Sequence, residues 1–107
     1  MNSKAKGNKG ELELAKLLCS HGLNAQRNDQ MYISGRENPD ISIPGIHCEV
    51  KRTEALRLYD AMFQAEHDAN GRAIPVVMHR KNRHPWLVIM RLDDWITLYK
   101  KSRKKEI

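Results

Sequence analysis

The sequence contains few of the residues that cross-link a small protein, stack against bases or enter a membrane. Only two of the 107 residues are cysteine, so a disulfide framework is excluded, and we expect Cys19 and Cys48 to be buried, inert thiols. Aromatic residues make up 6%, which argues against a base-stacking platform for single strands. No apolar run approaches the ~18 residues of a membrane span, and none follows the basic N-terminus as a signal peptide requires.

These absences favour a cytoplasmic, intracellular protein with no membrane partner, a setting compatible with a phage or prokaryotic origin. Lys and Arg number 19 against 13 Asp and Glu, a formal net charge of +6. Such an excess is typical of a protein that binds a polyanion, usually nucleic acid, although simple solubility is the alternative. The length fits one domain spanning residues 1–107, with flexible basic ends at 1–6 and 100–107.

Apolar spacing predicts an α/β fold. Helices are expected at residues 8–21, 55–69 and 92–99, and strands at 23–27, on both sides of Pro44-Gly45, at 74–78 and at 86–90. The order α-β-β-β-α-β-β-α describes a mixed five-stranded sheet flanked by helices.

The segment NPDISIPGIHCEVKR carries the most information. If Pro44 and Gly45 form a two-residue turn, Asp40 lies directly across the hairpin from Glu49. Alternation then separates an apolar face from a polar one, with Ile41, Ile43, Ile46, Cys48 and Val50 against Asp40, Ser42, His47, Glu49 and Lys51. We expect the first face to pack on the core and the second to be open to solvent. A type II Pro-Gly turn matches strand twist poorly, and a one-residue slip would mix the faces.

Carboxylates on Asp40 and Glu49 would then lie ~5 Å apart at Cβ and repel each other. A hard divalent cation such as Mg²⁺ offsets that repulsion, because it prefers oxygen ligands. Lys51 shares the face and could reach a water or phosphate held by the metal. The alternative is an ordinary solvated face with a local Glu-Lys ion pair.

The first helix adds a further carboxylate. Glu11 lies on the same helical stripe as Leu14 and Leu18, where an unpaired charge is costly. It is a candidate outer metal ligand, or alternatively a partner of the helix dipole. Glu13 lies off this stripe and is expected to be solvated.

Other polar and aromatic residues give weaker signals. The five histidines show no zinc-ligand spacing, and we expect His47 to be exposed on the polar face. Trp86 and Trp95 are expected in the core or in an interface.

Several of these segments together resemble one known family. KGNKGELELAKLLCSHGLNAQR, then PD, CEVKR, FQAEHDANGRAIPVVMHR and PWLVIM are similar to the archaeal-type Holliday junction resolvases of the PD-(D/E)xK nuclease superfamily. The similarity extends from about Lys6 to Leu92. It implies a restriction-endonuclease-like fold, a Mg²⁺-dependent active site and a two-fold homodimer. It also implies four catalytic residues, Glu11, Asp40, Glu49 and Lys51, and a supporting role for Gln64.

From the residues and the resemblance together we expect a metal-dependent endodeoxyribonuclease acting on branched DNA, most specifically a Holliday junction resolvase. Mg²⁺, for which Mn²⁺ can substitute, would be held by Asp40, Glu49, the carbonyl of Val50 and Glu11. Phosphate contacts are expected from Lys4, Lys6, Lys9, Arg27, Arg36, Arg80, Lys81 and Arg83. The alternatives are another nuclease of this superfamily (nickase, flap, repair or restriction-like) and a non-catalytic basic DNA-binding module.

Overall fold

The computed structural model describes residues 3–27 and 39–104, with side chains described from residue 9 onward. Three helices and five strands follow the predicted order within these residues. They are α1 Ser3–Ser20, β1 Gln26–Arg27, β2 Ile41–Ile43, β3 Ile46–Arg52, α2 Leu58–Ala69, β4 Ile74–Arg80, β5 Leu87–Met90 and α3 Leu92–Lys104.

The five strands form one mixed sheet in the order β1-β2-β3-β4-β5. All neighbouring pairs are antiparallel except β3 and β4, which run parallel. Parallel neighbours need a crossover connection, and α2 supplies it. The predicted mixed five-stranded sheet flanked by helices is therefore confirmed.

The hairpin of β2 and β3 has the predicted register. Ile43 pairs with Ile46 around a two-residue turn, and Ile41 pairs with Cys48. Gly45 has a φ of 82°, which a type II turn requires at its second central residue and which glycine adopts without a Cβ clash. The two-residue Pro-Gly turn therefore forms although it matches strand twist poorly, and the hairpin keeps the predicted register.

One sheet face packs under α1. Leu14 of α1 and Ile41 and Cys48 of the hairpin are almost fully buried in one cluster. Val50 and Val76 extend this cluster along β3 and β4. Glu13 of α1 pairs with the guanidinium of Arg80 at the end of β4, and it accepts a hydrogen bond from Trp86 Nε1 at 3.0 Å. The expectation that Glu13 is solvated is therefore wrong.

The other sheet face lies partly under α2, and the prediction of a solvent-exposed polar face holds for Ser42 but is wrong for His47 and Glu49. Ala61, Met62 and Ala65 of α2 pack on Val77 of β4 in a second cluster. His47, which we expected to be exposed, is only 5% accessible. The physical reason is the parallel crossover, which places a helix on the face that an isolated hairpin would leave to water.

The chain ends are more helical than expected. α1 begins at Ser3 and α3 continues to Lys104, so helix extends into both of the predicted flexible ends. The Lys and Arg residues in the last turn of α3 favour this, since they complement the helix dipole. α3 buries none of its residues, and Trp95 stacks on Tyr99 at its exposed surface rather than in the core. Within residues 3–27 and 39–104, no helix combines the length and apolarity that crossing a bilayer requires.

We predict that Gly10→Ala destabilises the protein, the opposite of the usual effect of alanine in a helix. A Cβ at residue 10 would lie 2.5 Å from the Cβ of Arg52, because α1 crosses β3 there at close range. Overpacking of this kind costs about 1–3 kcal/mol, whereas Gly→Ala in an open helix gains roughly 0.5–1 kcal/mol. Urea unfolding measures the change, with Lys16→Ala as the exposed control on the same helix. A Gly10→Ala variant as stable as the parent would contradict this packing.

Candidate functional site

Asp40 and Glu49 meet across the hairpin, one residue beyond the last paired positions of β2 and β3. The Asp40 N–H donates to the Cys48 carbonyl at 2.9 Å, and the Val50 N–H donates to Asp40 Oδ2 at 2.8 Å. These two bonds bracket Glu49 and hold the Asp40 carboxylate beside it. The sequence-predicted pairing of the two acids is therefore present.

Burial and charge act together on this pair. The pKa of Glu49 is raised from its ordinary value, first by burial and then by repulsion from Asp40. A hydrogen bond between His47 Nε2 and Glu49 Oε1, 2.8 Å long, acts in the opposite direction. Burial and the two carboxylates also raise the pKa of the Cys48 thiol to about 12, so Cys48 stays protonated and unreactive.

The donor set at this point suits a hard divalent cation. Asp40 and Glu49 offer carboxylate oxygens, which Mg²⁺ prefers. The N–H and C=O of a strand residue point toward the same neighbour, so the Val50 carbonyl is directed to the Asp40 side. A bound cation would offset both the burial of the Glu49 charge and its repulsion from Asp40, and the residues therefore fit the metal expected from the sequence.

Lys51 and Glu11 have different surroundings. Lys51 follows Glu49 by two residues in β3, shares its face and is half-buried. The Glu11 carboxylate is also half-buried and accepts a hydrogen bond from Arg27 Nε at 3.1 Å. The structure thus brings Asp40, Glu49 and Lys51 onto one face and places Glu11 in an ion pair with Arg27 of β1. A metal-ligand role for Glu11 stays a prediction.

Two residues beside this pair were not predicted to belong to the site. Ligand atoms of His47, Glu49 and Asp68 all lie within 4.8 Å of one another, making them the only such His/Cys/Asp/Glu group among the described residues. Gln64, expected as a supporting residue, donates from Nε2 to Asp68 Oδ1 at 2.9 Å. Asp68 could have been found from the sequence, because it falls seven residues after Ala61 on the buried stripe of α2.

The predicted phosphate contacts divide into two groups. Lys9, Lys81 and Arg83 are exposed, whereas Arg27 and Arg80 are half-buried in ion pairs with acids of α1. Arg36 and the side chains of Lys4 and Lys6 lie outside the described residues.

Cys19 differs from its prediction. It is exposed rather than buried, and its Sγ donates to the Ala25 carbonyl at 3.0 Å. The reason is its place on α1, one residue past Leu18 and off the stripe that faces the sheet.

Comparison with known proteins finds structural similarity but no sequence family. The structure of Archaeoglobus fulgidus Hjc, a Holliday junction resolvase from an archaeal hyperthermophile, is similar to this chain with a TM-score of 0.62 and 26% sequence identity. The match covers 78% of this chain and 76% of that one. No family model matches the chain, and no curated protein does.

We predict that Glu49 destabilises the metal-free protein at neutral pH. Because its folded-state pKa is raised, the folded protein holds the proton more tightly, and this stability is lost as the pH rises above the ordinary value of 4.5. Glu49→Gln should therefore melt at a higher temperature than the parent at pH 8, with the gap closing toward pH 4.5. Thermal melts in chelator across this range measure the effect.

The matched control is Glu54→Gln, whose carboxylate is half-exposed near the end of β3 and should shift the melting temperature little. A gap between Glu49→Gln and the parent that widens as the pH falls would contradict the assigned burial of Glu49.

Proposed function

We propose that this chain is a single-domain, divalent-metal-dependent endodeoxyribonuclease that hydrolyses phosphodiesters in branched DNA, with four-way junctions as its main substrate. The observation that carries the proposal is the pair of Asp40 and Glu49 beside Lys51. The similarity of the fold to the archaeal resolvase supports the reaction and the substrate class.

Each residue of the site has a role that follows from its chemistry. Asp40, Glu49 and the Val50 carbonyl would hold Mg²⁺, and Mn²⁺ can replace it because the ligands are oxygens. When bound, the cation supplies a water of lowered pKa and stabilises charge on the phosphate. Lys51 neutralises the developing negative charge or orients the water, as a compact ammonium can. Glu11 contributes from α1, either as an outer ligand or by holding Arg27 toward the phosphate.

DNA would be held mainly through its phosphates. Lys81 and Arg83 lie in the basic connection between β4 and β5, and Lys9 lies on α1. Contacts of this type give affinity and position without sequence readout, which suits an enzyme that acts on a branched shape.

The proposal includes a homodimer, because symmetric cuts in a four-way junction need two active sites related by a two-fold axis. Two surfaces could supply the interface. β5 is an edge strand with Leu87 and Val88 exposed, and α2 exposes Tyr59 and Phe63. Each of these sets of exposed apolar residues is a candidate surface for association with a second copy of the chain.

We predict that Asp40→Asn folds normally and loses cleavage. Asparagine keeps a carbonyl oxygen to accept the Val50 N–H, so the hairpin is retained, but the anionic ligand is gone. Cleavage in Mg²⁺ should fall at least about 100-fold, and Lys51→Ala should also remove activity. The assay compares a four-way junction with a flap, a linear duplex and a single strand.

Glu54→Gln is the control for this assay and should cleave as the parent does. Paired, symmetric cuts in the junction support the proposed substrate, whereas preferred cleavage of the flap would favour another nuclease of the same fold. Full activity of Asp40→Asn would contradict the assigned site.

We predict that Lys81→Ala combined with Arg83→Asn weakens DNA binding and its dependence on salt. Asparagine is chosen at residue 83 because Arg83 has a φ of 66°, which asparagine tolerates better than alanine. The slope of log K against log salt should fall by about one for each lost phosphate contact. Arg72→Ala is the control, because Arg72 is exposed and precedes β4, at the opposite end of that strand from residues 81 and 83. An unchanged slope would show that the connection between β4 and β5 does not touch DNA.

A further inference from the structure

Beside the Asp40–Glu49 pair, three side chains from two elements converge under α2. His47 and Glu49 project from the same face of β3, and Asp68 reaches them from the last turns of α2. One ligand atom of each lies within 4.8 Å of the other two. An ion with bonds of about 2.0–2.2 Å spans such a group after small side-chain movements.

Asp68 is an unusual residue for its position. Its side chain is 4% exposed and lies on the stripe by which Ala61 and Ala65 pack on the sheet. An isolated charge there is strongly unfavourable unless it is paired or coordinated. Among the described residues, Asp68 accepts a hydrogen bond from the Gln64 amide and forms an ion pair with the Nδ1 of His67 at 3.5 Å, on a side chain that is mostly solvent-exposed.

The buried carboxylates of Glu49 and Asp68 also favour a bound cation. Glu49 is 12% exposed and Asp68 less, and both acids are thus withdrawn from solvent. Among the described residues, their ion-pair partners are histidines alone. His47 can supply at most one positive charge to two buried carboxylates and to Asp40 beyond them. A divalent ion would balance this group, with which no lysine or arginine of residues 9–27 and 39–104 forms an ion pair.

We infer that His47, Glu49 and Asp68 form a second cation site, distinct from the Asp40–Glu49 position and selective for a borderline transition-metal ion such as Zn²⁺. The imidazole nitrogen favours Zn²⁺ and similar transition-metal ions over Mg²⁺, because Mg²⁺ prefers oxygen ligands. The Nε2 and Oε1 atoms of His47 and Glu49, 2.8 Å apart, now share a hydrogen bond, and the ion would take the place of that bridging proton.

The second ion would share Glu49 with the nuclease site, and in this respect the inference rests on the proposed function. Its effect would be to fix the Glu49 carboxylate and lower the repulsion with Asp40. Gln64 then acts as a positioning residue, since its amide orients the Asp68 carboxylate.

The test is a titration with Co²⁺, a spectroscopic substitute for Zn²⁺, followed by its visible absorption in excess Mg²⁺ and without DNA. Wild-type protein should bind one Co²⁺ per chain with a spectrum of nitrogen and oxygen ligands. Asp68→Asn and His47→Gln should weaken binding at least about tenfold. Asp40→Asn should bind as the wild type does, and Asp60→Asn, an exposed position on α2, is the matched control.

The outcomes separate this inference from the proposed function. Co²⁺ binding by Asp68→Asn equal to that of the wild type would overturn the second site, even if Asp40→Asn has lost cleavage. Binding that depends on Asp68 supports the site even if no DNA is cut, a result that would contradict the nuclease alone. Circular dichroism of each variant verifies the fold. If His47→Gln unfolds, Co²⁺ binding by Asp68→Asn alone tests the second site, because asparagine keeps the shape of the aspartate side chain.

Discussion

The register of the β2–β3 hairpin is the constraint on which the rest of the molecule depends. Side chains alternate along a strand, so a shift of one residue would move Ile41 and Cys48 out of the core under α1 and place Glu49 in it. The two-residue turn at Pro44-Gly45 and the burial of both apolar residues select the same pairing. That pairing also brings the Asp40 carboxylate to the Val50 N–H, beside Glu49. One arrangement therefore stabilises the core and assembles the acids.

The helix α2 forms a second layer over the sheet and determines how far the site is buried. Alanines at positions 61 and 65 let the helix lie close to β3 and β4, and the resulting cover takes His47 and Glu49 out of solvent. The same closeness raises the pKa of Glu49 and makes the charged form costly. Protein stability and function are opposed here, since a carboxylate that destabilises the metal-free fold is the ligand that a cation would require. Sites with perturbed acids of this kind are where chemistry is expected.

Much of the fold and part of the site could be predicted from the sequence, because they depend on local periodicity. The order of elements and the face on which Cys48 lies follow from alternation and from the turn. The burial of His47 could not be predicted in this way, because it depends on where a helix that begins eleven residues later packs on the sheet. Cys19 was misplaced for a related reason, since its exposure depends on the rotation of α1 over the sheet. Asp68 could have been predicted, because its spacing of seven residues from Ala61 places it on the buried stripe of α2.

The most direct test of the central claim is anomalous diffraction from crystals soaked in Mn²⁺, which locates the ion without reference to activity. The account predicts an anomalous peak between the carboxylates of Asp40 and Glu49, within about 2.0–2.6 Å of an oxygen from each. A well-ordered hairpin with this register, full exposure to Mn²⁺ and no peak at that position would contradict it.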